Sequence, residues 1–120
     1  MIAGYRKFMK VDGHIWIESL NGFQLGKGRV HLLQQIAKTG SIAQASKKMN
    51  ISYRKAWGMV REMNMTSSTP LIQKNAGGKN GGGAYLTKEG EKYIQTYNRL
   101  FMEFEKFKND FVGKLKLNNE

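Results

Sequence analysis

The sequence predicts an α+β fold: short helices at the centre of the chain, a small hairpin on each side of them, and one long helix at the end. Three observations predict it. Residues 41–63 read as two short amphipathic helices joined by a tight turn. A strand, a glycine-rich loop and a return strand follow within 70–86. The most regular apolar period runs from Ile94 to Leu115. At 120 residues, with 40% apolar side chains, one such domain can bury a core. The expected divisions are an arm and hairpin over 1–25, a central domain over 26–87 and a terminal helix over 88–120.

Residues 1–9 are basic and aromatic without period and read as a loose arm. Over 10–25, Val11, Ile15 and Ile17 fall on one face and His14, Trp16 and Glu18 on the other, the alternation of a strand. Asn21-Gly22 fits a two-residue type I′ turn, because both positions tolerate positive φ, with Phe23 and Leu25 on the return strand. A first helix is expected over 27–39, with Val30, Leu33, Ile36 and Ala37 as its core stripe and Gly40 just past its end. His31, among apolar neighbours, reads as a partly buried structural histidine.

Ser41 then caps a second helix, and Gln44 completes a capping-box pattern. Ala45 and Met49 share one face of it. Asn50-Ile51 makes the turn, with Ile51 as its apolar plug. Ser52 caps a third helix, whose buried face is read as Ala56, Trp57, Val60 and Met63. Small Ala45 and Ala56 suit a close crossing of the two helices. Tyr53, Arg54, Lys55 and Arg61 are left facing outward. This is a helix-turn-helix, in which the second helix of the pair enters the DNA major groove. Paired amphipathic helices also occur in domains that touch no nucleic acid, so the neighbouring segments matter. Pro70–Lys74 and Ala84–Leu86 read as strands enclosing the basic, glycine-rich loop 75–83. Placed directly after the third helix, they form a wing. Its Gly77, Gly78 and Gly81 allow close backbone approach to a phosphate, and Lys79 supplies charge. The alternative is a connector without function.

Thr87 caps the last helix, expected over 88–115, with 116–120 frayed. Ile94, Tyr97, Phe101, Phe104, Phe111 and Leu115 follow a heptad seam that Lys108 interrupts and that Leu100 and Phe107 widen. A winged domain is too small to cover so long an aromatic stripe, so a homodimer through this helix is expected. A stripe folded back on its own domain is the alternative.

The charge distribution adds weight. The formal net charge is +11. Between Ser19 and Lys88 stand Lys27, Arg29, Lys38, Lys47, Lys48, Arg54, Lys55, Arg61, Lys74, Lys79 and Lys88, and the only acid is Glu62. A long window almost free of acid points to a polyanionic partner. An anionic membrane is the competitor, but no helix joins a broad apolar face to basic flanks. The absence of cysteine removes disulfides, thiol catalysis and cysteine-ligated zinc. His14 and His31, without an acidic cluster, make no metal site, and no cofactor is expected. No nucleophile–base pair is visible, so no enzyme is expected. The sequence has neither an apolar run of membrane length nor a signal-peptide core, so the expected location is cytoplasmic.

The strings GSIAQASKKMNISYRKAWGMVREMN (40–64) and GGKNGGGAYLTKEG (77–90) resemble the N-terminal DNA-binding domain of the ModE family of molybdate-responsive transcriptional regulators. The first string is similar, more distantly, to the winged helix-turn-helix of the LysR family. The resemblance covers roughly Gly26 to Phe107. It implies a winged fold with a recognition helix, a glycine-rich wing and a dimerising final helix. The N-terminal hairpin resembles that of short, stand-alone ModE-like proteins. Asn80 stands where the family usually has glycine. The molybdate-binding region that follows in the family is not within these residues, so no molybdate site is expected in this chain. The expected function is a homodimeric, sequence-specific DNA-binding regulator. Ser52, Tyr53, Arg54 and Lys55 would read bases. Ser41, Gln44, Lys47, Lys48 and Arg61 would contact backbone, and Trp57 would pack in the core. A winged adaptor working through protein contacts, or an architectural DNA binder, is the alternative.

Overall fold

The computed structural model describes residues 9–75 and 83–115. Its elements are β1 (Trp16–Glu18), β2 (Gln24–Gly26), α1 (Lys27–Thr39), α2 (Ile42–Met49), α3 (Tyr53–Thr66), β3 (Ile72–Lys74), β4 (Ala84–Leu86) and α4 (Lys88–Lys114). They fall into two compact units. One is Trp16–Tyr97; the other joins the described residues up to Ile15 with those from Asn98 onward. The hairpin and the first turns of α4 thus group with the winged fold.

In the first unit, β1 pairs antiparallel with β2, Ile17 opposite Leu25. The hairpin is shorter than its alternation predicts, because Lys10–Ile15 form no strand. Its turn also differs from the expected type I′. Gly22 has φ 95°, and Asn21 does not share the positive φ that type I′ requires. Gly22 N–H donates to Ser19 O, and Ser19 N–H to Phe23 O, which leaves three residues in the loop. A three-residue loop needs positive φ at its last position only, and glycine occupies it. Asn21 is instead recruited elsewhere: its Nδ2 donates to Thr66 O at 3.0 Å, tying the hairpin to the end of α3.

The three central helices carry the core. Val30, Leu32, Leu33 and Ile36 of α1 are buried, as are Ala45 of α2 and Ala56, Val60 and Met63 of α3. Leu32, not Ala37, completes the α1 stripe; Ala37 lies in the last turn and is exposed. His31 is exposed too, against expectation. One residue step along a helix is about 100°. That rotation carries His31 from the edge of the stripe at Val30 to the opposite side. Gly40 ends α1 in the left-handed region (φ 72°), its N–H donating to Ile36 O. Asn50 ends α2 in the same conformation (φ 59°), where a polar short side chain is tolerated.

The wing base is an antiparallel pair, Ile72 opposite Leu86 and Lys74 opposite Ala84. The strand begins at Ile72, two residues after the proline, and Leu71 is fully buried before it. Asn75 N–H donates to Gly83 O and closes the described part of the hairpin. Ala84 N–H donates to Gly40 O, fastening β4 to the α1–α2 junction. The loop residues Gly77, Gly78, Lys79 and Gly81 lie outside the described residues.

Thr87 caps α4 as expected: its Oγ1 accepts from Gly90 N–H at 3.1 Å and donates to Pro70 O at 2.7 Å. A Cβ on Gly90 would stand 2.4 Å from Leu71 O, so only glycine fits there. Tyr93 packs on Phe23, ring centroids 4.9 Å apart. Tyr97 is 4% exposed. It is buried within the single chain and offers no area to a partner copy, which corrects its assignment to a dimer seam.

In the second unit, Lys108 explains how a cation sits on the aromatic seam. Its side chain is 13% exposed and pairs with Glu105 (2.7 Å) and Asp12 (3.3 Å). Its ammonium also lies 5.1 Å from the centre of the Phe104 ring. The Gly13 amide donates to Asp12, and with the Lys108 ammonium beside it the Asp12 carboxyl is held below the usual carboxylate range. The hydrogen bond to Glu105 in turn raises the Lys108 pKa, ahead of an opposing effect of burial. Phe107 and Phe111 stack at 6.0 Å and are exposed.

Candidate nucleic-acid interface

Two serines set the geometry of the helix pair. The Ser41 hydroxyl accepts from Gln44 N–H at 3.1 Å, and the Ser52 hydroxyl accepts from Lys55 N–H at 3.0 Å. Each satisfies one of the amides that a helix start leaves without an intrahelical partner. The reciprocal half of a capping box is replaced at Ser41, whose own N–H donates to Thr39 Oγ1. Ile51 N–H donates to Ser46 O across the turn, and Ile51 is half-buried.

With Ala56, Val60 and Met63 turned inward, the other side of α3 is solvated. Tyr53, Arg54, Lys55 and Arg61 are all exposed, as are Gln44, Lys47 and Lys48 on α2. None of these five lysines and arginines has a carboxylate partner among the described residues. The one acid of the basic window, Glu62, is engaged by Arg29, which also donates from Nη1 to Gln24 O at 2.9 Å. The two charges pair at the hairpin side of α3 and leave the other described cations of that window without a carboxylate partner among the described residues.

Trp57 departs from the expectation that it packs in the core: it is 36% exposed. The helical rotation explains the difference. Ala56, Val60 and Met63 define an arc about 60° wide, and Trp57 stands about 90° from its centre, on the side of Tyr53 and Arg61. There the Lys74 ammonium lies over its indole, 4.4 Å from the ring centroid. Lys74 also lines a concavity of about 300 Å³ together with Ser41, Ile42, Ala43, Tyr53, Gly83 and Ala84. The wing strand therefore contributes a cation to the same surface as α2 and α3.

Asn64 fixes the wing to α3. Its Oδ1 accepts from Leu71 N–H (2.8 Å) and Ile72 N–H (3.2 Å), and its Nδ2 donates to Ile72 O (2.9 Å). Tyr85 on β4 reaches across to Gln73, O–H to Oε1 2.8 Å. Sequence reasoning assigned no role to Asn64 or Lys74. For Lys74 a signal existed in its place at the end of a strand beside the basic loop. Asn64 carried none, because its partners are backbone groups seven and eight residues away.

Residues 28–91 match the bacterial regulatory helix-turn-helix proteins of the lysR family. The chain belongs to that family. A solved LysR family transcriptional regulator superposes with a TM-score of 0.54 over 75% of this chain and 30% of its own, at 16% identity, which is a likeness of fold. Among relatives of higher identity, the transcriptional regulator ModE of Yersinia pestis is 49% identical over 72 residues, 60% of this chain and 27% of that protein. The DNA-binding transcriptional dual regulator ModE of Escherichia coli K12 is 47% identical over the same length. The molybdenum-pterin-binding protein MopB of Rhodobacter capsulatus is 40% identical over 96 residues, 80% of this chain and 36% of that protein. The matched region thus spans about a third or less of these relatives. Among the described residues no helix is long and apolar enough to cross a membrane, and no group of three metal-ligating side chains occurs.

Proposed function

We propose that this protein is a sequence-specific transcriptional regulator that binds duplex DNA as a homodimer in the cytoplasm. The observation that carries this reading is the solvated side of α3, whose Tyr53, Arg54, Lys55 and Arg61 stand exposed, without carboxylate partners among the described residues, at the centre of an acid-poor window. In this reading Ser52, Tyr53, Arg54 and Lys55 enter the major groove. Arg54 makes a bidentate contact with guanine O6 and N7, for which a planar guanidinium is suited. Ser41, Gln44, Lys47, Lys48 and Arg61 meet phosphates and set the register, and Gly77, Gly78, Lys79 and Gly81 of the wing follow the backbone. Ile94, Phe101, Phe104 and Phe111 of α4 lie between the copies. The reading requires no cofactor and no catalytic step.

The division of labour is testable with two substitutions across a panel of duplexes. Arg54→Ala is expected to relax sequence preference, at about 1–3 kcal/mol for the lost base contact. Lys79→Ala is expected to weaken all duplexes alike and to shallow the salt dependence by about one unit. A uniform loss in both variants would contradict the assignment of Arg54 to base readout. A wild-type protein that binds no duplex at low salt would favour the adaptor acting through protein contacts.

A further inference from the structure

We propose that Lys74 of β3 is a phosphate contact in the DNA complex, and that Trp57 of α3 is the positioning residue that holds it there. The proposal rests on the DNA-binding reading above. Three observations support it. The Lys74 ammonium lies 4.4 Å from the centre of the Trp57 ring. It lines the same concavity as Tyr53 at the start of α3 and Ser41 at the start of α2. Trp57 is 36% exposed on the solvated side of α3, where a core role does not account for it.

The kind of partner matters. A carboxylate beside Lys74 would hold it equally well, but would cancel its charge and repel an approaching phosphate. An aromatic face attracts an ammonium through its quadrupole and leaves the full positive charge available. Lysine otherwise carries a long flexible stem whose ordering opposes any contact it makes. Holding the ammonium over a rigid indole supplies part of that ordering before DNA arrives. No carboxylate pairs with Lys74 among the described residues, and Glu62, the one acid of the basic window, is engaged by Arg29. The pairing also spans two elements: α3, which would enter the groove, and β3, which carries the wing. One contact thereby sets a backbone anchor at a fixed place relative to the reading helix.

The test is the salt dependence of binding of the full chain to a fluorescently labelled duplex of mixed sequence. Wild type is compared with Lys74→Gln, Trp57→Leu, Trp57→Phe and the double variant Trp57→Leu/Lys74→Gln. Loss of one phosphate contact shallows the slope of log K against log salt by about 0.9. Lys74→Gln and Trp57→Leu are each expected to show that change, the double variant no more than either, and Trp57→Phe close to none. An unchanged slope in Lys74→Gln, or an unchanged slope in Trp57→Leu, overturns the proposal while leaving the DNA-binding reading intact. So does a Trp57→Leu variant that loses preference among sequences at constant slope, since Trp57 would then touch the bases. A wild type without salt-dependent binding removes the underlying reading and this proposal with it. A measurement on the wild type alone guards against a misfolded variant: the Lys74 ε-methylene protons are expected upfield from ring current, and ordinary shifts there overturn the pairing.

Discussion

Asn64 and Gly90 are single residues on which the wing depends for opposite reasons. Asn64 supplies three hydrogen bonds to the backbone of residues 71 and 72. Asn64→Ala leaves those groups without their partner, and each unsatisfied buried group costs about 1–3 kcal/mol. The expected result is a comparable loss of stability in urea unfolding, with faster hydrogen exchange at the Leu71 and Ile72 amides than elsewhere. Gly90 contributes by having no side chain. Gly90→Ala would gain up to about 1 kcal/mol of helix propensity. Against this, it would drive a methyl to 2.4 Å from Leu71 O, an overpacking cost of about 1–3 kcal/mol or more. Net destabilisation is expected, and a Gly90→Ala variant as stable as wild type would contradict the packing. Asp12 offers a pH test. Its folded-state carboxyl is depressed, first by the Gly13 amide and then by Lys108. A depressed carboxylate contributes stability above its unfolded pKa and loses it as pH falls through its folded pKa. The Gly13 amide shift is therefore expected to titrate in acid with a midpoint below the ordinary aspartate value of 3.8. A midpoint at or above that value would contradict the contact.

At the scale of elements, periodicity and capping residues locate the helices well, because both are local properties. The first helix spans 27–39 as its stripe and Gly40 predict, and Ser41, Ser52 and Thr87 each cap the helix assigned to them. The strand Ala84–Leu86 is equally legible. What is not legible depends on rotation and on distant partners. Trp57 follows Ala56 in sequence, and its size suggests burial, yet a single helical step takes it out of the core and under Lys74. The 10–25 alternation overstates the first strand, since Lys10–Ile15 group with the second unit and form no strand. The interface follows the same division. The outward face of α3 can be read from its spacing, whereas the Arg29–Glu62 pair and the contribution of β3 require the fold. The Trp57–Lys74 contact, at a partly exposed site, is of the class that stabilises by about 0.5–1 kcal/mol. Its removal is thus expected to change melting little.

For the whole molecule, two features bear on assembly and partner. Phe101, Phe107 and Phe111 stand exposed on α4, together with Met102. Large apolar side chains gathered on one exposed helix mark an interaction surface, and a second copy of the helix is the occupant that the heptad spacing favours. Tyr97, buried in its own chain, has almost no area to offer such a contact. Phe111→Lys, at a site already 44% exposed, is expected to yield monomers in sedimentation velocity without loss of helix content. An unchanged dimer would place the seam elsewhere. The second feature is charge: nearly all of the +11 lies in the winged segment, and a polyanion bound there should release counterions in proportion to the phosphates it engages. Both features meet in one measurement, selection by the wild-type protein from a random pool of duplex DNA at two salt concentrations. The account predicts an enriched motif with two-fold symmetry, its half-sites about one helical turn, roughly 34 Å, apart, and weaker retention at the higher salt. Retention without enrichment, or no retention at low salt, would contradict it.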